Sequence, residues 1–373
     1  MIRRIQKRLI EFIKTDAFFI SLLSLIFLVY SFSFLSQFLK DSELLSVGGW
    51  DGANHFAIAK VYAEEMFPRL FGWTFSWNAG MVFPLGYPPA SYFFLGFLAW
   101  LLPFKFVFIF KFLVIFSIIF LVITAYFLPK KFGLNKLESF FSALIFLFFL
   151  LSPFSFSTGG LSFLASFRSG LYSQLFAGPL LVLWLFSFVD AFKSKKNFFW
   201  SVILLFLILI TNIHIGEAAL IIWLAFLIGD YFLFKKYNVI KIYFWHFLLS
   251  FLLLSVWSLP LLINLDYFLN FTFQPSHFLS FFRFPVFIFL SFALLGWVFS
   301  ILNKKRIYFN LGFSGLLLML TAFLPVNLVF KSLPLQPQRL LPIIIIVLAP
   351  LAVFGLKFFH TYLNKYVKIQ ILL

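Results

Sequence analysis

An aspartate and a histidine stand four residues apart in the stretch GGWDGANHFAIAKVYAEE, at Asp51 and His55. On a helix that spacing lays one side chain over the other. A carboxylate fixed in a wet cavity can accept the proton of an acceptor hydroxyl, a general-base step that contributes about 10² to 10⁴ in rate. Asp51 is also the residue type that caps a helix N-terminus, and the two roles do not exclude each other. His55 can share the proton, orient an acceptor, join a divalent-cation site or act as a plain hydrogen-bond partner. Further cation ligands could come from His214 and Glu217 in the turn TNIHIGEAA. A charged Glu217 at membrane depth would cost about 3 kcal/mol, so it belongs in a wet cavity or at headgroup level.

Late in the chain, FKSLPLQPQRLLP places Arg339 beside Gln338 and Gln336, with Lys331 upstream. A guanidinium donates two hydrogen bonds to adjacent phosphate oxygens; the alternative for a flanking arginine is snorkelling to the interface. Arg168 and Arg283 are weaker candidates of the same kind. Trp50, Trp73 and Trp77 could stack on sugar faces or form an interfacial belt. Tyr87, Pro88 and Pro89 make a stiff corner, because proline fixes φ and lacks a donor. No P-loop, dinucleotide fingerprint, HExxH or GxSxG elbow occurs, which argues against nucleotide-driven work and common hydrolase chemistry.

The elements that must position these residues are set by composition. Of 373 residues, 63% are hydrophobic and 11% charged, and the mean hydropathy is +1.05. Those values predict a polytopic membrane protein of all-α class, folded as a single transmembrane domain over 1–373. The net charge of +17 resides in short clusters between apolar runs, as expected of topology signals facing anionic headgroups rather than of nucleic-acid binding. The absence of cysteine excludes disulfides and thiolate chemistry. The basic opening MIRRIQKRLIEFIK precedes an apolar run over 17–38, too long for a signal-peptide core, which is read as a retained first span.

Basic clusters recur at Lys130, Lys131 and Lys136; at Lys193, Lys195 and Lys196; at Lys235, Lys236 and Lys241; at Lys304, Lys305 and Arg306; and at Lys365 and Lys368. Placing each on the cytoplasmic side puts both termini there and predicts spans at 138–153, 176–192, 198–213, 218–234, 242–262, 284–302, 309–325 and 340–358. Outer loops then fall at 40–86, 154–175, 214–217, 263–283 and 326–339. An odd number of crossings must separate the first of these from Lys130, so 106–128 is expected to cross while 88–103 dips in or lies against the bundle. About ten spans result. Residues 52–67 are expected to form an interfacial amphipathic helix, with Phe56, Ala59, Ala63, Met66 and Phe67 opposite Asn54, Glu64 and Glu65.

GGWDGANHFAIAKVYAEE, followed by W-N-x-G and YPPASYFF, resembles the first outer loop of the GT-C superfamily of integral-membrane glycosyltransferases. It also resembles that of membrane proteins labelled 6-pyruvoyl-tetrahydropterin-synthase-related, and LPLQPQRLLP resembles the arginine motif before their C-terminal span. The resemblance covers about 45 residues plus the late motif and implies a GT-C-like fold. It implies transfer of a sugar from a polyprenyl-phosphate donor to a glycan, lipid or protein acceptor at the extracytoplasmic face of the cell membrane. Asp51 would then be the base, Arg339 would hold the phosphate, and His55, His214, Glu217, Gln338, Trp50 and Tyr87 would position the substrates. No second acid adjoins Asp51, and 154–175 has no carboxylate, so a mechanism without a metal is expected, with no cofactor. An outer soluble domain seen in some of those enzymes is expected to be absent or removed by truncation. A transporter or flippase of lipid-linked saccharides, or a non-catalytic assembly subunit, is the alternative.

Overall fold

Away from water, helix is the cheapest way for a long apolar run to satisfy its own backbone. The computed structural model describes residues 11, 14–40, 49–70, 72–76, 81–83, 88–151, 172–263, 284–323 and 337–372. Over these it is 87% helical, which meets the all-α expectation. The α-helices are α1 (Asp16–Lys40), α2 (Gly49–Val61), α3 (Ala90–Leu101), α4 (Phe106–Lys131), α5 (Lys136–Leu151) and α6 (Tyr172–Phe188). They continue with α7 (Lys195–Thr211), α8 (Ile213–Ile228), α9 (Ile240–Ile263), α10 (Phe284–Leu302), α11 (Arg306–Phe323) and α12 (Leu341–Leu372). The helices expected from 138 onward fall on α5 to α12 in order. Among the described residues five helices, α1, α4, α8, α9 and α12, are long and apolar enough to cross a membrane, and α3, α6, α10 and α11 carry shorter apolar stretches. Together with the composition, they mark a membrane protein.

Ion pairs collect the basic clusters at one end of the bundle. Lys130 Nζ lies 2.7 Å from both carboxylate oxygens of Asp16, Lys131 and Lys193 share Asp190, and Lys357 reaches Glu138 at 3.0 Å. Tyr308 donates to the Phe132 carbonyl at 3.1 Å, joining the start of α11 to the turn after α4. In that turn Gly133 adopts a φ of +95°, a left-handed conformation that costs glycine little. Asn135 and Glu138 then exchange side-chain to backbone hydrogen bonds at 2.9 Å, a capping box that fixes the start of α5. Also at this end, a π-helical turn, Gly229–Leu233, buries Asp230. That carboxylate accepts from both nitrogens of the Arg306 fork, from Tyr243 at 2.8 Å and from Asn310 at 3.1 Å.

The opposite ends of α1 and α4 meet where Lys111 Nζ donates to the Leu39 carbonyl at 3.3 Å. α4 therefore runs antiparallel to α1 over the full depth of the bundle. α3, with 12 residues, extends only about 18 Å, short of a hydrocarbon core of about 30 Å. It buries Tyr92 and Leu95 and leaves Phe94 and Trp100 exposed, lying against α2 and α4. α12 has the most enclosed apolar window of the five long apolar helices. Of its apolar window, 78% is buried, against 17% for α1 and 22% for α9. α10 crosses it backbone to backbone: a Cβ on Gly296 would lie 2.1 Å from the Leu351 carbonyl oxygen, and one on Gly355 would lie 2.2 Å from that of Phe292.

Two expectations change. The amphipathic helix is α2 prolonged by a π-helical turn, Tyr62–Met66. Its buried stripe is His55, Ile58, Ala59, Tyr62 and Met66, with Phe56 and Ala63 only half-buried. The stripe is offset because the helix packs onto α3 rather than lying free. The outer turn expected at 214–217 contracts to Asn212, and His214 and Glu217 stand inside α8. A two-stranded antiparallel ribbon, β1 (Gly72–Thr74) with β2 (Met81–Phe83), was not expected. Glu65 ties it to the π-helical turn, accepting from Thr74 at 2.5 Å and from Ser76.

Candidate functional site

At the end of the bundle away from the basic clusters, α2, α3, α6, α8 and the turn before α12 converge. Asp51 lies in the first turn of α2 and His55 one turn later. Position 51 follows the helix start at Gly49, whereas a capping residue would precede it. His55 is 8% exposed, and its Nδ1 lies 2.6 Å from the hydroxyl of Tyr92 on α3. Burial, reinforced by the positive charge of Arg339, pushes the His55 imidazole down to about 4. At neutral pH it is therefore uncharged and can both donate and accept. The same effect puts the Arg339 guanidinium within electrostatic reach of His55, although 283 residues separate them in the chain.

The start of α6 fixes the other half of the site. Gln174, wholly buried, donates from Nε2 to the Arg339 carbonyl at 3.0 Å, which holds the backbone of the 3₁₀ turn Pro337–Leu340. Its neighbour Ser173 accepts from Asn212 Nδ2 at 3.0 Å. Asn212 breaks the chain between α7 and α8 in an extended conformation, φ −154° and ψ 121°, and its Oδ1 caps α8 by accepting from the Ile215 N–H at 3.0 Å. On the first turns of α8, His214 Nδ1 and Glu217 Oε2 are 3.3 Å apart. The Pro337–Leu340 turn packs on both α8 and α11. Tyr172 completes the link to α2: its ring meets Phe110 of α4 edge-on, and Phe110 meets Phe56 edge-on.

The Arg339 charge thus reaches His55, and the turn that carries Arg339 packs on the helix that bears His214 and Glu217. Trp50, Asp51 and Gln338 are placed as backbone positions in α2 and the 3₁₀ turn. Tyr87, Trp77, Arg168, Arg283, Lys331 and Gln336 lie outside the described residues. Trp73 is exposed on β1. Among the described residues no three His, Cys, Asp or Glu side chains converge as a metal ligand set.

No family model matches the sequence. No curated protein matches it either. The site therefore rests on its own geometry, which adds three residues that sequence reasoning passed over, Tyr92, Gln174 and Asn212; the contact of α1 with α4 buries a further one, Lys111. Lys111 is 2% exposed, its ammonium held by the Leu39 carbonyl and 5.5 Å from the centre of the Phe38 ring. Each is a polar residue within a strongly apolar run. That was the available signal, since a polar group inside a membrane bundle needs a partner.

Proposed function

We propose that this chain is a membrane glycosyltransferase of GT-C type that moves a sugar from a polyprenyl-phosphate donor to an acceptor hydroxyl at the extracytoplasmic face. The observation that supports the reading is that the positive charge of Arg339 acts on His55, one helical turn from position 51. It relates the cation assigned here to the donor phosphate and the carboxylate assigned here as base, which come from opposite ends of the chain. Asp51 takes the acceptor proton as the acceptor oxygen attacks the anomeric carbon. The bond from that carbon to the phosphate oxygen breaks with inversion, and its electron pair leaves on the phosphate, where Arg339 stabilises the charge. Neutral His55, with Tyr92, and the His214 and Glu217 pair orient acceptor and sugar, and Gln338, Trp50 and Tyr87 complete the binding surface.

In this reading α1 and α4 to α12 make ten crossings, with both termini on the cytoplasmic side. α3 lies half-inserted beside the route by which a lipid donor enters. Collection of the basic residues at the end opposite Arg339 supports that orientation.

Turnover by purified protein in liposomes, supplied with a panel of polyprenyl-phosphate sugars, tests the proposal. Asp51→Asn should lower the rate about 10²-fold or more. A rate indifferent to that substitution removes Asp51 from the chemistry. Passage of intact donor across the bilayer, with no glycoside formed, would assign the site to translocation instead.

A further inference from the structure

At the end of the bundle opposite Arg339, an open cleft of about 420 Å³ lies between α7 and α9. Phe198 of α7 and Ile242, Trp245 and Leu249 of α9 wall it, and Lys193, Ser194 and Lys195 stand at its mouth. The three α9 residues follow at steps of three and four, one stripe of that helix. On the same two helices Phe199, Trp200, Phe244 and Leu252 are exposed. α9 is among the least enclosed of the long apolar helices, with 22% of its apolar window buried. The cleft thus opens sideways onto an apolar surface of the kind that meets hydrocarbon, while its polar rim sits at the depth of the basic clusters.

The rim is strongly cationic. Lys193 and Lys195 line it and Lys196 follows at the start of α7, while one carboxylate, Asp190, is bonded to Lys131 and, at 2.8 Å, to Lys193. Lys195 and Lys196 open α7, and Ser194, extended at the N-cap position, makes no capping bond. First-turn N–H groups that Ser194 leaves uncapped add a further preference for an anion. A soluble anion has no use for the aromatic wall beneath, and a neutral lipid has none for the lysines.

We propose that this cleft binds an anionic glycerophospholipid, its phosphate at Lys193 and Lys195 and one acyl chain along Phe198, Trp245 and Leu249. An acyl chain gains little by leaving bilayer for cleft, so selectivity must come from the headgroup. Two lysines near the surface account for roughly a tenfold preference or more for anionic over zwitterionic lipid. The site is independent of the transfer chemistry proposed above.

Native mass spectrometry of the full chain, delipidated in detergent and titrated with phosphatidylglycerol, phosphatidylcholine or inorganic phosphate, tests this. One phosphatidylglycerol should be retained at least tenfold more tightly than phosphatidylcholine, and millimolar inorganic phosphate should not displace it. Lys193→Ala with Lys195→Ala should erase the preference, and Leu249→Trp, which fills the cleft with both lysines intact, should abolish retention; unfolding temperatures without lipid verify that the variants are folded. Equal retention of the two lipids, a preference that survives the double lysine variant in folded protein, or full displacement by inorganic phosphate would each overturn the assignment.

Discussion

His55 is held neutral by its surroundings, and that has a pH signature. Its folded pKa, about 4, lies below the ordinary value of 6.5. Between those values the unfolded chain binds a proton that the folded chain refuses, so the stabilising effect is complete above pH 6.5 and is lost as pH falls toward 4. Amide exchange protection across α2 should therefore stay level from pH 8 to 6.5 and decline below, and His55→Gln should flatten the decline. Asp51, His55 and Arg339 were legible in the sequence because charge is scarce in so apolar a chain. Gln174 and Tyr92 were not, since their importance comes from a partner far along the chain, the Arg339 carbonyl in one case and the His55 ring in the other.

At the scale of elements, Asn212 does two jobs with one side chain. Its oxygen caps α8 and its amide nitrogen holds Ser173 at the start of α6. Asn212→Ala should cost about 1 kcal/mol for the cap alone, read as faster hydrogen exchange at Ile215 and the amides after it, with α9 unchanged. If the site works as proposed, the same variant should also weaken turnover, because His214 and Glu217 ride on the freed turn. Apolar length and basic punctuation placed α5 to α11 within a few residues and caught the start of α12, but α12 runs on to Leu372, well past the expected end at 358. They could not reveal the tight α7–α8 turn, in which a Cβ on Gly216 would lie 3.3 Å from the Leu209 Cα. Nor could they reveal the ribbon at Gly72–Thr74, whose attachment to Glu65 depends on tertiary contact rather than on strand-forming residues.

Across the whole molecule, polar interactions divide between two ends, and the Asp230 network anchors one of them. Asp230 is fully buried, and the Arg306 side chain paired with it is 18% exposed. Removing the carboxylate strands a guanidinium together with the Tyr243 and Asn310 donors. Asp230→Ala should therefore lower stability by about 3 to 5 kcal/mol, measured as a fall in unfolding temperature in detergent, whereas exposed Lys196→Ala should leave it unchanged. The enclosure of α12 carries a different implication. Its place between α10, α11, α5 and α4 is the centre of the bundle, yet the ribosome makes it after all of them. Until residues beyond 341 have been made, those four helices lack the surface they pack against. Assembly is then completed from the inside, by the helix that also brings Arg339 to its station.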